Sequence, residues 1–197
     1  MPSTRQGDIL EAALDSFTRK GFAATTVEDV RRRSGASVGS IYHHFGSKEE
    51  LAASLHVDAV RRYQEGFLET LEAEQDAETG VKAIVRYHLA WVEDNAELAR
   101  FMLSRQEVEV LRRAERRQRD LNRRFAAAVE AWLEPHRKTR VMRRLPADVS
   151  FALLIGPSQE HARLWLARRT ETTPKQAARL LAAPVWSSLR TEKGGRS

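Results

Sequence analysis

The sequence predicts an all-α protein, with a three-helix unit over residues 1–47 followed by a larger helical bundle over residues 48–191. Three observations carry that expectation. Stretches in which Val, Ile, Thr and aromatics alternate with polar residues are almost absent, and apolar residues recur instead at three- and four-residue spacing. Helix-start and helix-stop residues at Gly21, Gly35, Gly46, Gly80, Asn95, Pro135, Pro146, Pro157 and Pro174 divide the chain into eight to ten segments of unequal length.

The first helix is read from Ile9, Ala13 and Phe17, with Leu10 and Leu14 beside them, and it stops at Gly21. Thr26 is a good N-cap for a short second helix. Asp29, three positions on, completes a capping box, and Val27 and Val30 point inward. Gly35 closes that helix, because glycine tolerates the left-handed conformation a tight inter-helix turn requires. Ser37 caps a third helix carrying Val38, Ile41, Tyr42 and Phe45, whose apolar members read as core. Ser47 with Glu50 reads as a further capping box opening a long fourth helix. Continuous from Lys48 to Ala73, that helix reaches about 39 Å.

In the bundle, Val81, Ile84, Val85, His88, Trp91 and Val92 fit one helix and Leu98, Phe101 and Met102 a short one. Leu111, Ala114, Gln118, Leu121, Phe125, Ala128 and Trp132 keep helical spacing up to Pro135. Val149, Phe151 and Leu153 lead to Gly156-Pro157, a pair that either kinks a helix or ends it. Thr173-Pro174 with Gln176 opens the last helix toward Trp186 and Leu189. The tail over 192–197 is expected to be disordered.

Composition narrows the function. With no cysteine there is no disulfide framework, thiolate metal site or cysteine nucleophile, and a cytoplasmic protein is expected. No apolar run is long enough for a membrane span or a signal peptide. The net charge of +6 suggests nucleic acid at first sight, but residues 1–56 hold seven basic and seven acidic side chains. The surplus sits later, above all in Arg112, Arg113, Arg116, Arg117, Arg119, Arg123 and Arg124. Off the apolar seam, these read first as a solvated face, and second as a site for an anionic ligand on a helical binding protein or enzyme.

The most informative stretch is TVEDVRRRSGASVGSIYHHFGSK over residues 26–48. Short helix, glycine turn and short helix is the helix-turn-helix plan, in which the second helix enters the DNA major groove. Ser37, Ser40 and His43 are polar groups able to reach base edges, and Gly39 removes bulk where the helix approaches; Val38 stands among the same candidate DNA-contacting positions. Thr26, Tyr42, His44 and Lys48 suit phosphate contact. The longer run TTVEDVRRRSGASVGSIYHHFGSKEEL resembles the DNA-binding signature of the tetracycline-repressor (TetR) family of bacterial transcription regulators. The resemblance covers about the first 55 residues. It implies a homodimer of about nine helices per chain that binds a palindromic double-stranded operator and is released by a small-molecule effector. By position it implies phosphate contacts at Thr26, Tyr42 and Lys48 and base-facing roles for Ser37, Gly39, Ser40 and His43. The recognition helix lacks Arg, Lys, Asn and Gln, so the operator is not legible from it.

For the effector, the candidates are Tyr87, His88, Trp91, Phe101, Met102, Phe125, Trp132, Phe151, Gln159 and His161. For the dimer contact they are Leu164, Trp165, Leu166, Val185, Trp186 and Leu189, on the last two helices, where the resemblance places a four-helix interface. No phosphate loop, nucleophile elbow or paired metal-ligand spacing is present, and His43-His44 diverge by about 100° on a helix, so no enzyme, metal or cofactor is expected.

Overall fold

The computed structural model describes residues 5–103 and 108–192. Among them the chain forms nine helices: α1 (Arg5–Lys20), α2 (Val27–Ser34), α3 (Val38–Phe45), α4 (Lys48–Glu72), α5 (Ala77–Asp94), α6 (Ala96–Leu103), α7 (Val108–Lys138), α8 (Ala147–Leu166) and α9 (Pro174–Leu189). The only β geometry among the described residues is an isolated bridge between Met142 and Arg190. Of the tail expected over 192–197, residues 193–197 lie outside the described ones.

The chain divides into two compact units, and the division is not at residue 47. The first unit comprises residues up to Arg62 with Glu97–Leu121; the second comprises Tyr63–Ala96 with the residues from Asn122 on. The reason lies in α4, whose first half buries Leu51, Ala52, Ala53, Leu55 and Ala59 at 4% exposure or less, so that it is core of the first unit. Ile9, Ala13, Val30 and Ile41 complete that core. Arg113 and Arg117 on α7 pair with Glu50 on α4, and Arg117 also donates to Ser54 Oγ at 2.7 Å. Glu50 therefore turns its carboxylate to α7. The capping box expected at Ser47 is only half made, with the Glu50 N–H on Ser47 Oγ at 3.1 Å.

In the second unit α5, α8 and α9 pack on one another through Val81, Ile84, Val85, Leu89, Leu154, Ala162, Ala178, Ala182 and Val185. Small residues on α9 let it lie close to its neighbours. Phe67 is wholly buried on the second half of α4 and meets the Phe125 ring edge-on at 5.1 Å.

Three expected breaks lie inside helices. Asp76, not Gly80, starts α5, its carboxylate accepting from the Thr79 N–H at 3.0 Å. Gly80 is glycine for a packing reason: a Cβ there would sit 2.3 Å from Cζ2 of Trp132. Pro135 costs α7 one backbone bond, yet the helix runs on to Lys138 because Leu133 and Arg137 are buried on either side. Gly156-Pro157 likewise lies within α8, between buried Ile155 and Ser158, and is no helix boundary.

Candidate functional site

Each element of the helix-turn-helix is fixed locally. The Thr26 hydroxyl accepts from the Asp29 N–H at 3.2 Å and donates to Asp29 Oδ2 at 2.9 Å, while the Thr26 N–H donates to the same oxygen at 3.0 Å. Asp29 also binds Lys20 Nζ at 2.7 Å and Arg32 at 2.6 Å. The Lys20 ammonium and the Thr26 donors hold its carboxyl well below the usual range. One buried carboxylate thus joins α1 to the start of α2. The turn follows at Gly35, with φ of 65° and its N–H on the Arg31 carbonyl at 3.0 Å.

Helix α3 is pinned by two side chains, Ile41 at 2% and Phe45 at 6% exposure, and is started by Ser37, whose Oγ accepts from the Ser40 N–H at 3.1 Å. Every other position of α3 faces outward to some degree. Gly39, His43 and His44 are exposed, Tyr42 is 49% exposed, and Ser40 is half-buried. Val38, read from spacing as core, is 39% exposed, because only one face of so short a helix meets the unit's core. Ser37, Val38, Gly39, Tyr42, His43 and His44 thus form the open side of α3.

Two candidate phosphate ligands are engaged internally. Lys48 Nζ donates to the carbonyls of Phe22, Ala23 and Thr25 at 3.0, 3.3 and 3.0 Å and lies 4.5 Å above the Phe22 ring. The single hydroxyl proton of Thr26 goes to Asp29. The three arginines of α2 are paired as well, Arg31 to Glu28, Arg32 to Asp29 and Arg33 to Asp15.

The second unit holds a cleft of about 400 Å³, lined by α4, α7 and α8 residues that include Phe125, Phe151, Val129, Leu133 and Gln64. Of the ten effector candidates it brings together Phe125 and Phe151, whose rings meet edge-on at 6.5 Å. Tyr87, His88 and Trp91 instead surround Tyr63, with ring centroids at 5.7, 5.6 and 5.2 Å. Tyr63 Oη and His88 Nδ1 are 2.8 Å apart, and Tyr87 Oη donates to the Tyr63 carbonyl at 2.7 Å. Burial lowers His88 to about 4 and raises Tyr87 to about 12, with the Glu69 charge adding to the latter. Trp132 covers Gly80 and donates to the Glu74 carbonyl at 3.0 Å. Gln159 and His161 are half-buried on α8 and do not line the cleft. Phe101 and Met102 belong to the first unit, where Phe101 stacks on Phe17 at 5.8 Å as core.

Sequence reasoning missed Gln64, Asn122, Glu130 and Asp148, all in the cleft wall. A signal existed for Gln64: it stands four residues after Val60 and three before Phe67, a polar residue on an apolar seam. Four of the six dimer candidates also need correction. Leu166, Val185, Trp186 and Leu189 are exposed by 9% or less and pack inside their own chain, while Leu164 and Trp165 are half-buried. The open apolar face of α9 is Leu180, 69% exposed, with Ala183 and Pro184.

A capped, glycine-linked pair of short helices with an outward second helix, followed by a helical second unit, defines a helix-turn-helix protein. Residues 9–55 match the family model described as bacterial regulatory proteins, tetR family. The chain is 44% identical over 71 residues to the transcriptional repressor KstR2 of Mycobacterium tuberculosis (strain ATCC 25618 / H37Rv), covering 36% of this chain. The matched stretch spans about a third of that repressor, 32% of its length. The fold likeness is wider. The fatty acid degradation regulator FadR from Bacillus halodurans superposes with a TM-score of 0.76 over 93% of this chain and 98% of its own, at 17% identity. FadR from Bacillus subtilis, solved in complex with stearoyl-CoA, gives a TM-score of 0.76 over 91% and 97%, at 16% identity. No helix of the described residues is long and apolar enough to cross a membrane.

Proposed function

We propose that the chain is a cytoplasmic, homodimeric transcriptional repressor, a regulator and not an enzyme, that binds a palindromic operator and leaves it when a small molecule occupies the second unit. The observation that carries this reading is the open face of α3, held by Ile41 and Phe45 behind it. Ser37, Val38, Gly39, Ser40 and His43 are assigned to base edges, and Thr26, Tyr42, His44 and Lys48 to phosphates. Tyr42 and His44 are ready for that role as they stand. Lys48 and Thr26 reach phosphate only by giving up internal bonds, so their first task is to hold the frame.

Dimerisation is assigned to the open faces of α8 and α9, with Leu180, Ala183 and Pro184 on one helix and Ala152 and Gly156 on the other. A ligand that prefers a dimer whose recognition helices no longer match one turn of DNA, about 34–36 Å, lowers operator affinity by its differential affinity for the two states. The family-model match over residues 9–55 and the fold likeness to a regulator solved with stearoyl-CoA support this reading.

Selection of bound sequences from a random DNA pool tests it. An enriched inverted repeat is expected, and recovery of no common site would overturn the assignment. The dimer is tested by Leu180→Glu, which is expected to give monomers in light scattering and to abolish tight operator binding. A dimer unchanged by it would refute the chosen face.

A further inference from the structure

The cleft in the second unit has a chemical character that the fold alone does not dictate. Its floor is apolar, built by Phe125, Val129, Leu133 and Leu154, and its volume of about 400 Å³ lies in the range of small-molecule sites. Gln64 reaches it from α4 and is 7% exposed. Its Nε2 donates to Asn122 Oδ1 at 2.8 Å, which leaves Oε1 buried with no hydrogen-bond partner. Such an atom forgoes a bond it would make in water, and a ligand that supplies a donor recovers it.

The charges agree with that polarity. Two carboxylates, Glu130 and Asp148, stand in the lining, and no Lys, Arg or His is among the described residues that form it. Arg137 is near in sequence but buried at 6% exposure, and is turned to Glu130 and to Ser150 Oγ, the latter at 3.0 Å. It offsets one carboxylate without lining the cleft. An anion entering this space meets acceptors and negative charge, whereas a donor or a cation meets their complement.

We propose that the cleft takes an apolar, ring-sized ligand that donates a hydrogen bond and is neutral or positively charged, with the donor on Gln64 Oε1 and positive charge toward Asp148. It disfavours carboxylates and phosphates. The proposal rests on the reading above, in which the second unit holds the effector, and it names that effector's class.

Four fluorescent probes on one skeleton test it with the full chain: 1-pyrenemethylamine, 1-pyrenemethanol, pyrene and 1-pyrenecarboxylate, titrated by emission anisotropy. The amine and the alcohol are expected to bind at least about tenfold more tightly than the carboxylate. Gln64→Leu is expected to erase the alcohol's advantage over pyrene, and Asp148→Asn to reduce the amine's advantage over the alcohol. Ala126→Trp, which fills the cleft, is expected to weaken every probe. Equal or tighter binding of the carboxylate, binding of no probe, or indifference to Ala126→Trp would each overturn the proposal. The ranking on the unaltered protein decides the matter even where a variant fails to fold. Operator release, measured in parallel, separates the two ideas: probes that bind in the expected order without releasing DNA leave the cleft chemistry standing and refute its role as the effector site.

Discussion

Replacing Gly80 by alanine sets helix propensity against packing, and the two predict opposite signs. In the interior of α5 the substitution gains about 0.8–1.0 kcal/mol from propensity alone. The new Cβ, however, would lie 2.3 Å from Cζ2 and 2.5 Å from Cη2 of Trp132, against an ordinary carbon contact of about 3.5–4.0 Å. The indole must withdraw by more than an ångström, and being rigid it moves as a whole. Its Nε1 bond to the Glu74 carbonyl, 3.0 Å long, is lost or bent, at about 0.5–1.5 kcal/mol, and forced repacking adds about 1–3 kcal/mol. The balance is a net destabilisation of about 1–3 kcal/mol, or a fall in Tm of roughly 2–4 °C for each kcal/mol in a chain of this size. Thermal unfolding followed by circular dichroism and by tryptophan emission measures it. Pairing Gly80→Ala with Trp132→Leu closes a double-mutant cycle, in which the alanine is expected to become neutral or stabilising once the indole is gone. A higher Tm for Gly80→Ala alone would refute the packing account of this glycine.

Other substitutions probe other links. His88 stays neutral in the folded chain down to about pH 4, while the unfolded chain protonates it near 6.5, so acid favours unfolding between those values. The contribution grows as pH falls, to about 3 kcal/mol at pH 4, and is absent above pH 7; urea unfolding of His88→Gln is expected to be flatter over that window, and an unchanged pH profile would exclude His88 as its source. Lys48→Met removes three carbonyl contacts and is expected to lower stability by about 1–3 kcal/mol without DNA present; a change confined to the salt dependence of operator binding would show that the internal tie carries no weight. Thr26→Ala removes the side-chain half of the α2 capping box and the hydroxyl's bond to Asp29, at about 1–2 kcal/mol, and should speed amide exchange in α2, with Thr26→Ser restoring protection. Tyr42→Phe leaves stability unchanged and is expected to weaken binding to all DNA sequences alike, a loss selective for one sequence being contrary to a phosphate role.

The first 55 residues were legible because their signals are local. A cap at Thr26, a cap at Ser37 and a left-handed Gly35 each act within four residues, and the structure makes all three. The misread positions depend on distant partners. Gly80 looks like a helix stop until Trp132, 52 residues away, is seen lying on it, and Pro135 looks like an end until buried Leu133 and Arg137 are seen holding the helix through it. The dimer residues failed for a different reason. Helix α9 has two apolar faces, one with Val185, Trp186 and Leu189 and one with Leu180, Ala183 and Pro184, and periodicity does not say which face the chain keeps for itself. In the cleft, Gln64 was a visible exception on its seam, but its partner Asn122 lies 58 residues on and was not.

The division of labour within α3 bears on how such a protein diversifies. Two inward residues, Ile41 and Phe45, keep the helix in place, and the outward ones make few bonds to the rest of the chain. On the proposed assignment of α3 to DNA, address and chassis are written at different positions. A duplicated copy can drift at residues 38, 39, 40, 42, 43 and 44 and acquire a new target without first losing its fold, and an engineer can randomise the same six in a library most of whose members remain intact. On that assignment the cost is weak insulation: with no Arg, Lys, Asn or Gln on the open side of α3, sister proteins built this way would sit only a few substitutions from one another's sites, and fidelity in a crowded genome would then depend on the spacing and pairing of two half-sites.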